Sequence, residues 1–377
     1  MREALGRVLV HYYPLAGRVV LSSEGKLAVD CTGEGAVFVE ADAGCDLAAL
    51  GDISSTDTAA LGTLVCDFPG PRTCCRSLPS PPRSLTFYLS LKVTRFRCGG
   101  FTLGLSINHC MFDGAAAMEF INSWAEMARG SPLSLPPFLH RSLLAARSPP
   151  QIRHPHPEFS ELRHPHHHRR REEGEEQQQE EEEEKEELHG RRRRGGTHRL
   201  HLLRGSRRTD LADSSGGAAA AAVAAYEAAL RRRRAAAGGA ALPPGYFGNG
   251  IVLTCAGGAA GELVGRPLGF AVGEVQKAIR RVDDDFVRSA IDFFEVTRAR
   301  PSLAATFLVT AWSKLPFDVA DFGWGPPLQA GPAALPEKEV ALFLSHGREK
   351  KSVNVLLGLP AVAMDTFQRL LEAQWLT

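Results

Sequence analysis

The sequence predicts an α/β or α+β protein, because segments with the period of a strand alternate along the chain with segments that have the period of a helix. Its 377 residues are more than a single domain with one hydrophobic core usually contains, so two domains are expected. The composition also changes abruptly between about residues 163 and 241. We therefore predict an N-terminal domain at 1–150, a linker at 151–216 and a C-terminal domain at 217–377.

The first predicted element is a helix, in which Leu5, Val8, Leu9 and Tyr12 follow the i, i+3, i+4, i+7 spacing. No Ser, Thr, Asp or Asn precedes the helix to cap it, so we expect the chain to begin partway through this element. The letters PLAGR then predict a turn, and GKLAVDCTGEGAVFVEA predicts two strands joined by a glycine-containing turn.

The next clear pattern is a strand that ends near a histidine. Phe101, Leu103, Leu105 and Ile107 alternate with small or polar residues, which predicts a strand with one apolar face. His109 keeps this alternation, so its ring is expected to point inward where the strand ends. On local grounds alone, a buried histidine at a strand end is more often a core residue than a functional one.

A helix is predicted to follow, beginning after Gly114 and stopping at Gly130. Asp113 lies directly before this helix, so its local pattern predicts a structural N-cap. His109 and Asp113 together form a His-x-x-x-Asp pattern, which is weak by itself because the chain holds thirteen histidines.

The middle of the chain is low in complexity. Residues 163–196 are rich in His, Glu, Gln and Arg and are predicted to be disordered, while the alanine-rich segment 214–241 has helical propensity. A histidine cluster here could bind a metal, and the run Arg191–Arg194 could bind nucleic acid. We interpret both as a solvated linker, since the histidines lack a fixed geometry and an acidic run neighbours the arginines. The histidines are His164, His166, His167 and His168.

The remaining global features concern compartment and partners. Eight cysteines without a C-x-x-C pair are typical of reduced cytoplasmic thiols rather than of a disulfide framework or zinc site. A net charge of +1 argues against a surface coated by nucleic acid, and no apolar run is long enough to predict a membrane span. Near the C-terminus, 351–360 predicts a buried strand and the residues after Pro360 predict a helix.

Four motifs together give a specific resemblance. They are HYYPLAGR at 11–18, NHCMFDG at 108–114, LPPGYFGNGIVLT at 242–254 and DFGWG at 321–325. This set resembles the plant BAHD acyl-CoA-dependent acyltransferases, whose hallmark motifs are His-x-x-x-Asp and, about two hundred residues later, Asp-Phe-Gly-Trp-Gly. The segment FEVTRARPSLAATFLVTAWSKLPFDVADFGWG is similar to the corresponding segment of one group of family members. Those members transfer feruloyl from feruloyl-CoA to long-chain omega-hydroxy acids and fatty alcohols for suberin and wax.

The resemblance implies a fold and a reaction. The expected fold has two chloramphenicol-acetyltransferase-like domains with a solvent channel between them, in a cytoplasmic monomer that uses acyl-CoA as co-substrate and no cofactor. An aliphatic hydroxyl needs a base as it attacks a thioester, and His109 is implied as that general base. Thr310 and Trp312 are implied to line the oxyanion site, and no acyl-enzyme is needed, so Cys110 is a bystander.

The other motif residues are implied to be structural. In the family the motif aspartate pairs with a distant arginine; the corresponding position here is Ala235, and the adjacent Arg234 is a possible substitute for that arginine. The second motif is expected to form a turn capped by its aspartate around a buried Trp324. The residues with an expected structural function are Asp113, Gly114, Asp321, Phe322, Gly323, Trp324 and Gly325.

Two alternatives remain open from the sequence. The chain could be a non-catalytic or misfolded product of a defective gene, with residues 163–241 derived from translated introns or a shifted reading frame. It could also be a family member with another acceptor, such as shikimate, an amine or a short alcohol.

Overall fold

The structure is a computed structural model that describes part of the chain. The described residues are 1–51, 61–66, 89–159, 200–201, 221–229, 242–299, 306–333, 339–345 and 352–375. The predictions for the histidine cluster, the arginine run, the disordered segment 163–196 and the pair Arg234 and Ala235 lie outside these residues.

Helices and strands alternate, as the sequence predicts. The α-helices are α1 (Arg2–His11), α2 (Gly114–Ala128), α3 (Ala260–Gly265), α4 (Leu268–Arg281), α5 (Asp284–Thr297) and α6 (Ala361–Trp375). The strands are β1 (Arg18–Leu21), β2 (Leu27–Asp30), β3 (Val37–Asp42), β4 (Leu89–Arg95), β5 (Phe101–Ile107), β6 (Leu200–His201), β7 (Ala221–Ala229), β8 (Ile251–Ala259), β9 (Thr306–Ala311), β10 (Val340–Ser345) and β11 (Val353–Gly358). Within the described residues, no helix is both long enough and apolar enough to cross a membrane.

The N-terminal half contains two small sheets. Strands β1 and β2 form an antiparallel pair, while β4 pairs in parallel with β3 and antiparallel with β5. The two strands predicted between residues 25 and 41 are β2 and β3, and they lie in different sheets rather than in one hairpin.

The C-terminal half contains one six-stranded sheet in the order β6-β11-β10-β9-β7-β8. Strand β9 is parallel to both β7 and β10. Strand β11 is antiparallel to β10 and to the edge strand β6, and the other edge strand, β8, is antiparallel to β7. The alanine-rich segment was expected to be helical, and this prediction was wrong for residues 221–229, which form β7. This strand pairs on both sides, with β8 and β9, and that two-sided backbone pairing outweighs a helix preference of a few tenths of a kcal/mol per alanine.

The largest core lies between α1, α2 and the β3–β5 sheet, and it includes aromatic rings from both halves of the chain. The ring of Tyr12 meets those of Phe120 and Phe247 edge to face, with centroids 5.2 and 4.9 Å apart, and its hydroxyl hydrogen-bonds Ser123. Phe247 precedes β8, so the C-terminal half contributes directly to the N-terminal core.

A polar face of α5 anchors the segment that leaves the N-terminal half. The buried carboxylate of Asp292 accepts hydrogen bonds from Arg147 N (2.8 Å), Arg147 Nε (2.7 Å) and Gln151 N (2.7 Å). Burial by itself would raise the pKa of Asp292, but these hydrogen bonds hold it below its ordinary value. Residues 147–151 are thereby fastened to the C-terminal half.

Candidate active site

The turn after β5 carries the motif histidine. Strand β5 ends at Ile107, and Asn108 closes a turn in which its Oδ1 accepts from Cys110 N (3.1 Å) and its carbonyl accepts from Met111 N (3.0 Å). His109 lies in this turn and is exposed, so the prediction that its ring points inward was wrong. Strand alternation stops at Ile107, two residues before the histidine, and it cannot set the direction of a side chain in the turn.

Two side chains from elsewhere hold the carbonyl groups of this turn. Asn249 Nδ2 donates to His109 O at 2.9 Å and to Cys110 O at 3.2 Å. Arg141, which is half-buried, donates from Nη2 to Met111 O at 2.6 Å. Three successive carbonyls therefore have side-chain donors, which fixes the backbone that presents the imidazole.

Asp113 joins the turn to both α2 and the C-terminal half. The predicted N-cap is observed, because Oδ1 accepts from Ala116 N at 2.9 Å. The second oxygen, Oδ2, accepts from Gly250 N at 2.8 Å, and the side chain is only 2% exposed. Both carboxylate oxygens are thus used by backbone N–H groups, one in each half of the chain.

The sheet register brings Trp312 to the same edge as the histidine turn. Ile251, the first residue of β8, pairs with Ala229, the last residue of β7. Strands β7 and β9 pair in parallel up to Val309. Extending that register by three residues places Trp312 opposite Ala229, and therefore level with Ile251. Asn249, which holds His109, directly precedes this end of β8, and β8 lies two strands from β9, or about 10 Å.

The loop after β9 also contacts the start of α2. Trp312 N donates to Phe343 O at 2.8 Å, and Leu315 N donates back to Trp312 O at 2.9 Å. A Cβ placed on Gly114 would lie 3.2 Å from Leu315 Cδ1, so the loop packs closely on the helix N-terminus. Thr310, half-buried near the end of β9, pairs with a residue of β10. The segments 108–114, 248–250 and 312–315 therefore meet at one place.

The second motif, DFGWG, forms a turn capped by its aspartate, as predicted. Asp321 Oδ1 accepts from Gly323 N at 2.7 Å and Gly325 N at 2.9 Å, and these bonds lower the pKa of Asp321. Both glycines have positive φ, 108° and 91°, which favours residues without a Cβ. The two glycines therefore let the backbone wrap around one carboxylate oxygen.

The buried ring of this motif is not the predicted one. Trp324 is 70% exposed, so the expectation of a buried tryptophan was wrong. Phe322 is 8% exposed instead and meets Trp124 edge to face at 4.8 Å, within the N-terminal core. The tight glycine turn leaves Trp324 at the surface, with an edge contact to Phe101 at 5.2 Å.

The segment before β8 explains how Asn249 reaches the histidine turn. Gly245 has φ +76°, and a Cβ there would overlap Pro136 O, so only glycine permits this approach. Phe138 N donates to Gly245 O at 2.7 Å. Sequence reasoning missed Asn249 and Arg141; the only signal for Asn249 was its place between two glycines in GYFGNG, and none pointed to Arg141.

A Ser–His–Glu arrangement elsewhere is structural. His156 Nε2 lies 2.9 Å from Ser289 Oγ, and its Nδ1 lies 2.9 Å from Glu158 Oε1. All three side chains are buried, and Ser289 Oγ already accepts from Arg153 N and His154 N. Because both lone pairs of that oxygen are occupied, this serine is not a nucleophile, and the cluster instead fastens residues 153–158 to α5.

Comparisons with known proteins cover most of the chain. The profile of a family described as Transferase family matches residues 1–193 and 226–374. Omega-hydroxypalmitate O-feruloyl transferase of Arabidopsis thaliana is 48% identical over 98% of this chain and 80% of that protein. Fatty alcohol:caffeoyl-CoA acyltransferase of Arabidopsis thaliana is 47% identical over 99% and 86%. Shikimate O-hydroxycinnamoyltransferase of Nicotiana tabacum is 31% identical over 98% and 87%.

Solved structures are similar in fold. Vinorine synthase matches with a TM-score of 0.61 at 21% identity, covering 96% of this chain and 81% of that one. TRI101 of F. sporotrichioides, complexed with coenzyme A and T-2, matches with a TM-score of 0.58 at 13% identity, over 97% and 86%. At these identities the likeness shows the fold alone, and it confirms the predicted fold class. Since the family profile and relatives of nearly half identity both span most of the sequence, the chain belongs to the BAHD family of acyl-CoA-dependent acyltransferases.

Proposed function

We propose that this protein transfers a hydroxycinnamoyl group, such as feruloyl, from its CoA thioester to the hydroxyl of a long-chain omega-hydroxy fatty acid or fatty alcohol. The observation that carries the proposal is the exposed imidazole of His109 on a turn whose carbonyls are held by Asn249 and Arg141. The substrate class comes from relatives of 48% and 47% identity, whose names specify feruloyl or caffeoyl transfer to such acceptors.

The chemistry begins with proton transfer to His109. Its imidazole accepts the proton of the acceptor hydroxyl while the hydroxyl oxygen forms a bond to the thioester carbon. The tetrahedral intermediate carries its negative charge on the former carbonyl oxygen. The indole N–H of Trp312 and the hydroxyl of Thr310, on the end of β9 at the same sheet edge, are the proposed hydrogen-bond donors to that oxyanion.

The intermediate then collapses and the C–S bond breaks. The electron pair leaves on sulfur, and the imidazolium of His109 returns its proton to the CoA thiolate. No covalent acyl-enzyme forms, so the half-buried thiol of Cys110 takes no part. Asp113 and the DFGWG turn act through structure, by joining the two halves around the reacting groups.

We further propose that the protein works as a cytoplasmic monomer. None of the six cysteines in the described residues forms a disulfide, and reduced thiols are the form expected in a reducing compartment. Gel filtration with light scattering would test the oligomeric state, and fractionation of the source tissue would test the location.

The test of the reaction is release of CoA from feruloyl-CoA with 16-hydroxypalmitate as acceptor. We expect His109→Ala and His109→Gln to lower kcat by about 10²- to 10⁴-fold while feruloyl-CoA still binds, because general-base catalysis contributes about that much. Cys110→Ala is the matched control on the adjacent residue and should retain activity.

Two results would contradict the proposal. Turnover that survives His109→Gln would exclude this residue as the base. A purified protein that unfolds without cooperativity and releases no CoA would instead support a non-catalytic product. Shikimate is the acceptor control. Faster transfer to shikimate than to 16-hydroxypalmitate would contradict the proposed class of acceptor but would still support acyl transfer from CoA to a hydroxyl.

A further inference from the structure

The side-chain amide of a buried asparagine in the C-terminal sheet has no hydrogen-bond partner among the described residues. Asn354 on β11 is 4% exposed, and neither its Nδ2 nor its Oδ1 is hydrogen-bonded within the part of the chain that the structure describes. Buried side-chain amides are nearly always paired, and one left unpaired costs about 1–3 kcal/mol. A buried amide with both ends unpaired is therefore a candidate for recognition of a ligand.

The amide lies on the sheet face that carries the two proposed oxyanion residues. Asn354 pairs with Leu344 across β10 and β11, and Thr310 pairs with Leu342 across β9 and β10. Directly paired residues share a face of a sheet. Trp312 packs on this face against a buried apolar cluster. We call it the Trp312 face, formed by Thr310, Trp312, Leu342, Leu344, Asn354 and Leu356.

The opposite face of the sheet is covered by a helix. Thr254 on β8 donates to Ala278 O in α4, and the strand pairings put Val309 on that same side. The Trp312 face is turned the other way, toward the loop that follows the DFGWG turn. A Cβ on Gly331 of this loop would lie 3.2 Å from Leu344 Cδ1. This loop therefore covers the Trp312 face. The DFGWG turn directly before the loop packs its Phe322 in the N-terminal core.

The distance along this face suits one part of the substrate. Strand β11 is two strands from β9, so Asn354 lies about 10 Å from Trp312. In a 4-hydroxycinnamoyl thioester the carbonyl carbon and the ring hydroxyl are separated by roughly 8 Å, from ordinary bond lengths. The apolar cluster between the two residues suits an aromatic ring. A long alkyl chain has no polar group at that distance for the amide to bind.

We propose that Asn354 recognises the ring hydroxyl of the hydroxycinnamoyl group, and so sets the acyl specificity of the enzyme. An amide donates and accepts hydrogen bonds, as a phenolic hydroxyl does, so the two are complementary. This inference rests on the proposed acyl transfer, and it names the residue that selects the donor.

The test compares two CoA thioesters that differ only in the ring hydroxyl, 4-coumaroyl-CoA and cinnamoyl-CoA. Dissociation constants and kcat/KM are measured separately for each. We expect the wild-type protein to prefer 4-coumaroyl-CoA by roughly 10- to 100-fold, the range for an unpaired buried group. Asn354→Leu should reduce this preference to within about twofold while cinnamoyl-CoA is bound and used at least as well as by the wild type.

A matched control comes from helix α2. Among the described residues, Asn122 Oδ1 is likewise buried without a hydrogen-bond partner, and Asn122 lies nine residues beyond Asp113 along this helix. Asn122→Leu should leave the preference for 4-coumaroyl-CoA unchanged. Both leucine variants should unfold at or above the wild-type urea concentration, because removing an unpaired amide does not destabilise the fold.

A second variant covers the case in which Asn354→Leu does not fold. Asn354→Asp has the same shape but only accepts hydrogen bonds. It should keep the use of 4-coumaroyl-CoA, whose hydroxyl can donate, and lose the use of 4-methoxycinnamoyl-CoA, whose oxygen only accepts.

The outcomes separate this inference from the reaction itself. A wild-type preference that persists unchanged in Asn354→Leu would overturn the inference, as would equal use of both thioesters by the wild type. Absence of any CoA release would contradict the proposed reaction. If no CoA is released but the binding of 4-coumaroyl-CoA still depends on Asn354, the inference about Asn354 stands although the proposed reaction does not.

Discussion

Replacement of Asp113 removes two hydrogen bonds that join different parts of the protein. Oδ1 caps α2 at Ala116 N, and Oδ2 binds Gly250 N at the start of the C-terminal sheet. Loss of an N-cap costs about 1 kcal/mol, and an unpaired buried N–H costs about 1–3 kcal/mol. We therefore expect Asp113→Ala to lower the free energy of unfolding by about 2–4 kcal/mol.

A serine at this position separates the two contributions. Asp113→Ser keeps an oxygen that can cap α2 but is too short to reach Gly250 as well, so it should cost about 1–3 kcal/mol. The two variants should then differ by about the cap energy, with serine the more stable. Urea unfolding with an unchanged m-value is the appropriate assay.

The same variants test whether Asp113 takes part in the chemistry. Gly250 is next to Asn249, which holds His109, so the loss of the Gly250 contact should lower kcat. The pH profile of kcat should keep its shape, because no titrating group of the reaction is removed. If Asp113→Ala were as stable as the wild type and its pH profile were changed, the structural assignment would be refuted. Asp113 would then take part in the reaction itself.

Three further predictions concern other contacts. Asn249→Ala should lower kcat while KM changes little, because the amide positions the His109 turn, and Asn249→Gln should not restore kcat; steady-state kinetics would show this. Asp292→Asn should cost about 2–4 kcal/mol at neutral pH, since the buried carboxylate accepts three hydrogen bonds. The pKa of Asp292 is lowered in the folded state, so its contribution is complete above its unfolded pKa of about 4 and is lost as the pH falls through the folded pKa; urea unfolding of wild type and variant at several pH values should converge in acid. Phe322→Ala should cost about 3–5 kcal/mol and Trp324→Ala much less, because only the first ring is buried, and thermal unfolding that ranks them in reverse would contradict the packing described for DFGWG.

Local patterns predicted the elements around the site well. The alternation from Phe101 to Ile107 marked β5, and the small and apolar residues after Gly114 marked α2. Asp113 was identified as the N-cap because capping depends on residues within one turn of each other in sequence. His-x-x-x-Asp and DFGWG, taken together with HYYPLAGR and LPPGYFGNGIVLT, were enough to identify the family, which the relatives confirm.

The tertiary structure decided what depends on distant residues. Whether the alanine-rich segment becomes a strand was set by its place between β8 and β9, because backbone pairing on both sides outweighs the helix preference of alanine. The exposure of His109 follows from the turn that Asn108 closes, and the burial of Phe322 rather than Trp324 follows from contact with Trp124. Spacing within one segment carries no information about which surface from another segment will meet it.

The sequence by itself determined the family and most element positions, and it supplied the prediction that His109 is the base. Only the tertiary structure showed that Asn249 and Arg141 hold the turn that carries His109, and that Asn354 shares a sheet face with Trp312. These contacts join residues more than a hundred positions apart, or strands that meet only through sheet register. They arise from the folded arrangement of the backbone, which local periodicity does not encode.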